Sequence, residues 1–299
     1  VRDRQLLAQR QLVRVDAHSA RANILPRDAG QYRAAVDPAV KRSGAGALQF
    51  KLDAGYASSD IAGQFLPQTN DGLGPGFAEN SNMYVQYAVR FSPEMFSNLQ
   101  YWDSNWKISM MHMNQTSCGS KELATNTFYD SGYAHMYKDC GGSAMYTLLD
   151  GRTWKQQPSP PLLLQQGDHI CEYGVEQNCW KYPSNKWITL YYKVHMGTWG
   201  QSNSTLEAWY SVDGQPYTQW LNITQSFKID CNGNAPCPAE KFNNITFTPY
   251  MTGLSRSAPV AAYVWYDELI VSTQPIAAPG AGVAADITAP SRPTGFTLR

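Results

Sequence analysis

From Trp187 to Gly214 apolar and polar side chains alternate almost one for one. Leu190, Tyr192, Val194 and Met196 fall on one parity, and Tyr191, Lys193 and His195 on the other. Successive side chains of a strand point to opposite faces, so the first set predicts a core face and the second an aromatic, polar one. The run that follows repeats the pattern. Leu206, Ala208, Tyr210 and Val212 oppose Thr205, Glu207, Trp209 and Ser211, and Asp213-Gly214 is a two-residue hairpin signal.

The same period recurs along the chain. Residues 34–52 read as strand, turn, strand, and 58–65 as a short strand. In 84–91, Val85, Tyr87, Val89 and Phe91 point inward, with Tyr84, Gln86 and Arg90 outward. Ser92-Pro93-Glu94 opens a turn or short helical segment. Residues 106–114 form a strand on which Ile108, Met110, His112 and Asn114 share a parity, but periodicity does not say which side is core. Strands are also expected at 220–227, 245–251 and 260–273. In 245–251, Phe247, Pro249 and Met251 oppose Thr246, Thr248 and Tyr250. Residues 115–186 read as one long cysteine-bearing insertion, of the kind that is usually functional. Residues 1–33 differ, with arginines and leucines at helical spacing before residue 23, and are expected to be an N-terminal helical or leader segment. Residues 276–299 are an Ala/Gly/Pro-rich linker towards a fibronectin-III-like module.

Composition narrows the class. The 299 residues contain 24 basic and 24 acidic side chains, which argues against a nucleic-acid or membrane-surface binder. Only 16 % of residues are charged, while Tyr (18), Trp (9), Gly (23) and Pro (18) are plentiful. That balance suits a turn-rich β-sandwich whose aromatic rings also meet sugars. Six cysteines, Cys118, Cys140, Cys171, Cys179, Cys231 and Cys237, have no Cys-x-x-Cys spacing. They are expected as disulfides in a secreted protein, with the pairing open among about 15 connectivities. Asn114, Asn203, Asn222 and Asn244 begin Asn-x-Ser/Thr sequons. No run of about 18 apolar residues occurs.

Several segments together resemble the jelly-roll polysaccharide lyases, most closely the glucuronan-lyase type and alginate-lyase-like sandwiches. They are Ser43-Gly-Ala-Gly-Ala-Leu-Gln-Phe50, Tyr84-Val-Gln-Tyr-Ala-Val-Arg-Phe-Ser-Pro93, Trp106-Lys107, the central hairpin, and Tyr266-Asp-Glu-Leu-Ile-Val-Ser-Thr273. The resemblance spans 35–275 and implies an all-β fold. That fold is a two-sheet antiparallel jelly roll with a concave cleft, its catalytic domain expected at 34–275. It further implies β-elimination on a uronate-containing polysaccharide such as glucuronan or alginate. No cofactor is expected to be required, a structural calcium is sometimes bound in such folds, and a monomer acting on an acidic polysaccharide is expected.

β-Elimination on a uronate needs three things: a group that neutralises the carboxylate, a base for the proton on C5, and an acid for the leaving oxygen on C4. The sequence supplies Lys193, His195, Tyr250 and His112 as catalytic candidates. His195 or His112 would be the base, Tyr250 the acid, and Lys193 with Arg90 or Gln86 would meet the carboxylate. Asn114, Tyr191, Glu207 and Trp209 complete a candidate substrate surface. Asp267 and Glu268 read as structural or cation-binding. Two rival classes remain. A glycoside hydrolase needs two carboxylates about 5–5.5 Å apart if retaining, and no Glu-x-Asp-x-Glu pattern occurs. A non-catalytic carbohydrate-binding module would bind polyuronates without releasing an unsaturated product.

Overall fold

The structure is a computed structural model. It describes residues 13–15, 24–25, 34–54, 64–65, 76–97, 106–113, 122–129, 133–138, 181–199, 201, 203–225, 241–251 and 260–277. The six cysteines, Asn114 and the linker beyond residue 277 lie outside these residues.

The alternating runs form two antiparallel sheets. The first strands are β1 (Val13–Val15), β2 (Ile24–Leu25), β3 (Ala34–Asp37), β4 (Ala47–Leu52), β5 (Gln64–Phe65) and β6 (Asn82–Phe91). After the short helix α1 (Glu94–Ser97) come β7 (Trp106–Met113), β8 (Glu122–Tyr129) and β9 (Tyr133–Lys138). The last are β10 (Ile188–His195), β11 (Ser204–Val212), β12 (Thr218–Gln225), β13 (Phe242–Met251) and β14 (Ala262–Ser272). An eight-stranded sheet runs β12-β11-β10-β6-β14-β4-β3, with β1 added on β14; a six-stranded sheet runs β2-β5-β13-β7-β8-β9. The all-β sandwich read from the sequence is the observed architecture.

The core lies between the sheets. Val85, Tyr87, Val89 and Phe91 of β6 are buried, as are Leu190, Tyr192 and Val194 of β10. They meet Phe247 and Ile245 of β13 and Met111 of β7. Tyr87 donates or accepts one hydrogen bond across the core, its hydroxyl 2.6 Å from Ser109 Oγ. This fixes the parity that the sequence left open on β7: Ser109 faces the eight-stranded sheet. The Asp213-Gly214 turn joins β11 to β12 with φ of 47° and 77°, both in the left-handed region that a primed hairpin turn needs.

Three expectations are corrected. Val13–Val15 is a strand paired with Val271, Ile270 and Leu269, not part of a helix. Its β-branched valines suit an edge of the sheet, where backbone pairing overrides a weak helical pattern. The stretch 115–186 is not loop throughout, because β8 and β9 continue the six-stranded sheet beyond β7. Finally, β13 does not alternate evenly to its end. Phe247 pairs with Ser109 but Tyr250 with Lys107, so three steps on β13 match two on β7. A bulge absorbs the extra residue and shifts Tyr250 into the register phase of Phe247, not that of Thr248. Pro249 supplies the cause: it has no N–H to give to the ladder.

No helix among the described residues is long and apolar enough to cross a membrane.

Candidate functional site

The candidates separate onto two sheets. Lys193, His195 and Tyr191 lie on β10, Glu207 and Trp209 on β11, and Gln86 and Arg90 on β6, all in the eight-stranded sheet. His112 is on β7 and Tyr250 on β13, in the six-stranded sheet. The expected single groove wall holding Lys193, His195 and Tyr250 is therefore not formed. Period two reveals which side of a strand a residue takes, but not which sheet the strand joins.

On the eight-stranded sheet the expected neighbours do meet. Rows across the strands read Trp209–Tyr191–Gln86, Glu207–Lys193–Tyr84 and Thr205–His195–Asn82. Tyr191 stacks on Trp209 at 5.2 Å and on Tyr217 at 5.7 Å between ring centres. Lys193 donates to Glu207 Oε1 at 2.5 Å. That bond, ahead of the opposing desolvation, raises the Lys193 ammonium above its ordinary value. Lys193 is thus a charged, committed partner of Glu207, unsuited to be a base at neutral pH. His195 Nδ1 lies 3.0 Å from Asn82 Oδ1.

Much of this face is roofed by its own loops. Gln86 is only 7 % exposed, and its Oε1 accepts a 2.9 Å hydrogen bond from the Tyr217 hydroxyl. Burial pushes the Tyr217 phenol well above its ordinary value. The Tyr191 phenol is also raised by burial, against a backbone hydrogen bond from Ile276. These are groups held neutral and packed. Arg42 reaches over the same face, hydrogen-bonded to Thr189 and paired with Glu268 at 3.2 Å.

The carboxylates beside it do not make a cation site. Asp267 Oδ2 accepts from the backbone N–H of Arg42 at 2.8 Å and of Ser43 at 3.1 Å. Its Oδ1 accepts from Glu268 N–H at 2.8 Å. Calcium needs six to eight free oxygen ligands, whereas these oxygens already face donors and a guanidinium. Asp267 is a clamp between β14 and the β3–β4 loop, and no group of three or more metal-binding side chains occurs among the described residues.

The six-stranded sheet carries a different set. Asn244, Thr246 and Thr248 alternate with the core-facing Ile245 and Phe247, yet all three are under 5 % exposed. They form a polar, covered floor on the side away from the core. Register extends that floor. His112 pairs with Asn244 on β13 and with Glu122 on β8. One row over, Thr246, Met110, Ala124 and Tyr137 align across β13, β7, β8 and β9. His112 and Tyr137 are therefore on the same face, in neighbouring rows of like phase. Tyr137 shares its β9 parity with Tyr133 and His135. The sequence reading missed these three. The signal was present as the alternation Tyr133-Ala-His-Met-Tyr-Lys138 following Gly132 in the sequence, between cysteines that drew it into a loop.

No family model matches the sequence, and no curated protein matches it. Solved structures do match the fold. A marine alginate lyase of Aplysia kurodai superposes with a TM-score of 0.50 at 14 % identity, over 80 % of this chain and 86 % of that one. An endo-β-1,4-glucuronan lyase of the fungus Trichoderma reesei gives 0.50 at 12 % identity, over 83 % and 90 %. At such identities the likeness is one of architecture: the sandwich shares the two-sheet jelly-roll fold of these two structures.

Proposed function

We propose that the protein is a polysaccharide lyase that cleaves a uronate-containing polysaccharide by β-elimination, with its reactive groups on the six-stranded sheet. The observation that carries this reading is the register of β13, β7, β8 and β9. It gives His112, Asn244 and Tyr137 one face and adjacent rows. Two interstrand steps separate β7 from β9, about 10 Å, a span that two long side chains and one sugar ring fill.

In this scheme the Asn244 amide meets the uronate carboxylate and makes the C5 proton more acidic. His112 accepts that proton. The electron pair forms the C4–C5 double bond as the C4–O bond breaks, and Tyr137 gives its phenolic proton to the leaving oxygen. Neutral imidazole and neutral phenol are the forms these roles require near pH 7. A hydrolase on the same face is disfavoured: Glu122 is the single carboxylate in the described strands of this sheet, and retaining hydrolysis needs two.

The test is the ultraviolet absorbance of the unsaturated product on incubation with a panel of polyuronates. Wild-type protein raises it. H112A and Y137F lower the rate by about 10²- to 10⁴-fold, the usual share of a general base or acid. Full activity in both variants refutes the site, and new reducing ends without absorbance refute the lyase in favour of a hydrolase.

A further inference from the structure

Arg90 sits apart from every group used above. It lies on β6, on the outer face of the eight-stranded sheet, opposite Trp265 of β14. Trp187, which leads into β10, lies on its other side, with the guanidinium carbon 6.0 Å from the indole centre. One nitrogen, Nη2, donates to Asn185 Oδ1 at 2.5 Å. Nε is buried and has no hydrogen-bond partner among the described residues. Among the described residues no carboxylate forms a salt bridge with this cation, although Asp213 lies close enough for the two charges to attract. The two acids of the neighbourhood are engaged: Asp213 accepts from Lys186 Nζ at 2.7 Å and from Trp187 N–H at 3.1 Å. Asp37 Oδ2 accepts from Trp265 Nε1 at 2.9 Å and from Gln49 at 2.8 Å.

A half-buried guanidinium with no carboxylate in direct contact, and only the attraction of the already engaged Asp213 to offset its charge, is costly, and charged groups in such positions are normally paired. Its fork matches a carboxylate. Around it stand the half-buried indole of Trp187, Tyr263 stacked on the buried Trp265 at 5.7 Å, and an exposed second cation, Lys186, which is itself paired with Asp213. Few polar groups set among aromatic rings are the usual makeup of a small-ligand site.

We propose that Arg90, Trp187 and Lys186 form a second, non-catalytic site for a carboxylated saccharide, on the opposite side of the sandwich from the reactive groups. The ligand class rests on the lyase reading, because the substrate chain carries the carboxylates. Arg90 takes a uronate carboxylate, the indole of Trp187 covers the sugar's apolar side, and Lys186 adds charge at the rim. Such a site holds the polymer on the protein between cleavage events and favours long chains over short ones.

The test is affinity electrophoresis of the whole protein in gels containing polyuronate, in the H112A background so that the matrix survives. Mobility in matrix-free gels corrects for altered charge. The parent is retarded by polyuronate and not by a neutral β-glucan. R90A weakens the apparent affinity at least fivefold, R90K restores part of it, and K186E weakens it as well. Lys186 is exposed, so K186E reads the site even if R90A fails to fold. The proposal is overturned if the parent is not retarded, if both variants are retarded as the parent is, or if neutral glucan retards equally. Retardation without unsaturated product from any wild-type digest removes the lyase and leaves this site standing. Unsaturated product with R90A and K186E bound normally removes this site alone.

Discussion

Gln86 shows how a residue chosen for chemistry turns out to be structural. It points away from the core, as alternation required, but the β11–β12 loop returns Tyr217 over it and its oxygen accepts the phenol's hydrogen bond. Tyr217→Phe leaves that buried oxygen without its donor, and destabilisation of about 1–2 kcal/mol is expected in urea melts, with the proposed release of unsaturated product per folded molecule unchanged. Lys193 and Glu207 behave differently. The ion pair raises the Lys193 value, so its stabilisation is complete below the ordinary lysine value of 10.5 and fades as pH rises through the higher folded value. The lysine side chain is 39 % exposed, and solvent screening keeps the pair small. Lys193→Met is expected to cost no more than about 0.5 kcal/mol at pH 7, and the deficit should shrink further as pH rises through the raised Lys193 value. A loss of catalysis beyond tenfold in Lys193→Met would instead return the reactive site to the eight-stranded sheet.

At the scale of elements, the sequence was most legible where alternation is unbroken and least where a strand carries one residue too many. β6, β10 and β11 have the faces their apolar parity dictated, because a one-residue slip would expose the whole core set. β13 hides two register shifts, between Phe242 and Asn244 and between Phe247 and Tyr250, and β14 hides one. For the second shift in β13 the clue was Pro249, a residue that cannot donate to a ladder. In β14 it was the adjacent acids Asp267 and Glu268 inside a β-rich run. There the register slips between Asp267 and Ile270, and Glu268 takes a left-handed φ of 52°, which costs a non-glycine residue about 1 kcal/mol. The bulge turns Asp267 towards the β3–β4 loop, where two backbone N–H groups meet its carboxylate, joined by that of Glu268 on its own strand. Asp267→Ala is expected to cost about 2 kcal/mol, and hydrogen exchange should accelerate first at Arg42 and Ser43. Gly46 closes the same loop: a Cβ there would come within 2.7 Å of the Asp37 carbonyl oxygen, so Gly46→Ala should destabilise in the same region.

The molecule as a whole was legible as a sandwich but not as a map of which sheet holds which chemistry. That map depends on strand order, and strand order is set by pairings between segments more than a hundred residues apart, such as β6 with β10 and β14. What ties the two sheets together is an aromatic and hydrogen-bonded seam. Phe247 of the six-stranded sheet stacks on Tyr266 at 4.5 Å and leans on Tyr87 at 4.9 Å, both from the eight-stranded sheet. Tyr266 donates its hydroxyl to the Ile108 carbonyl at 2.7 Å. Thr246, on the floor proposed to hold substrate, is the chain neighbour of Phe247, so the seam supports the site from beneath. Phe247→Ala removes a fully buried ring and is expected to cost about 3–5 kcal/mol. Phe247→Leu, which keeps most of the volume, should cost about 1–1.5 kcal/mol. If the reactive groups are on the six-stranded sheet, Phe247→Leu should also lower the rate of unsaturated-product release while leaving retardation by polyuronate intact, because Arg90 and Trp187 are held by β6 and β10. Equal loss of both in Phe247→Leu would mean that catalysis and polymer binding share one surface.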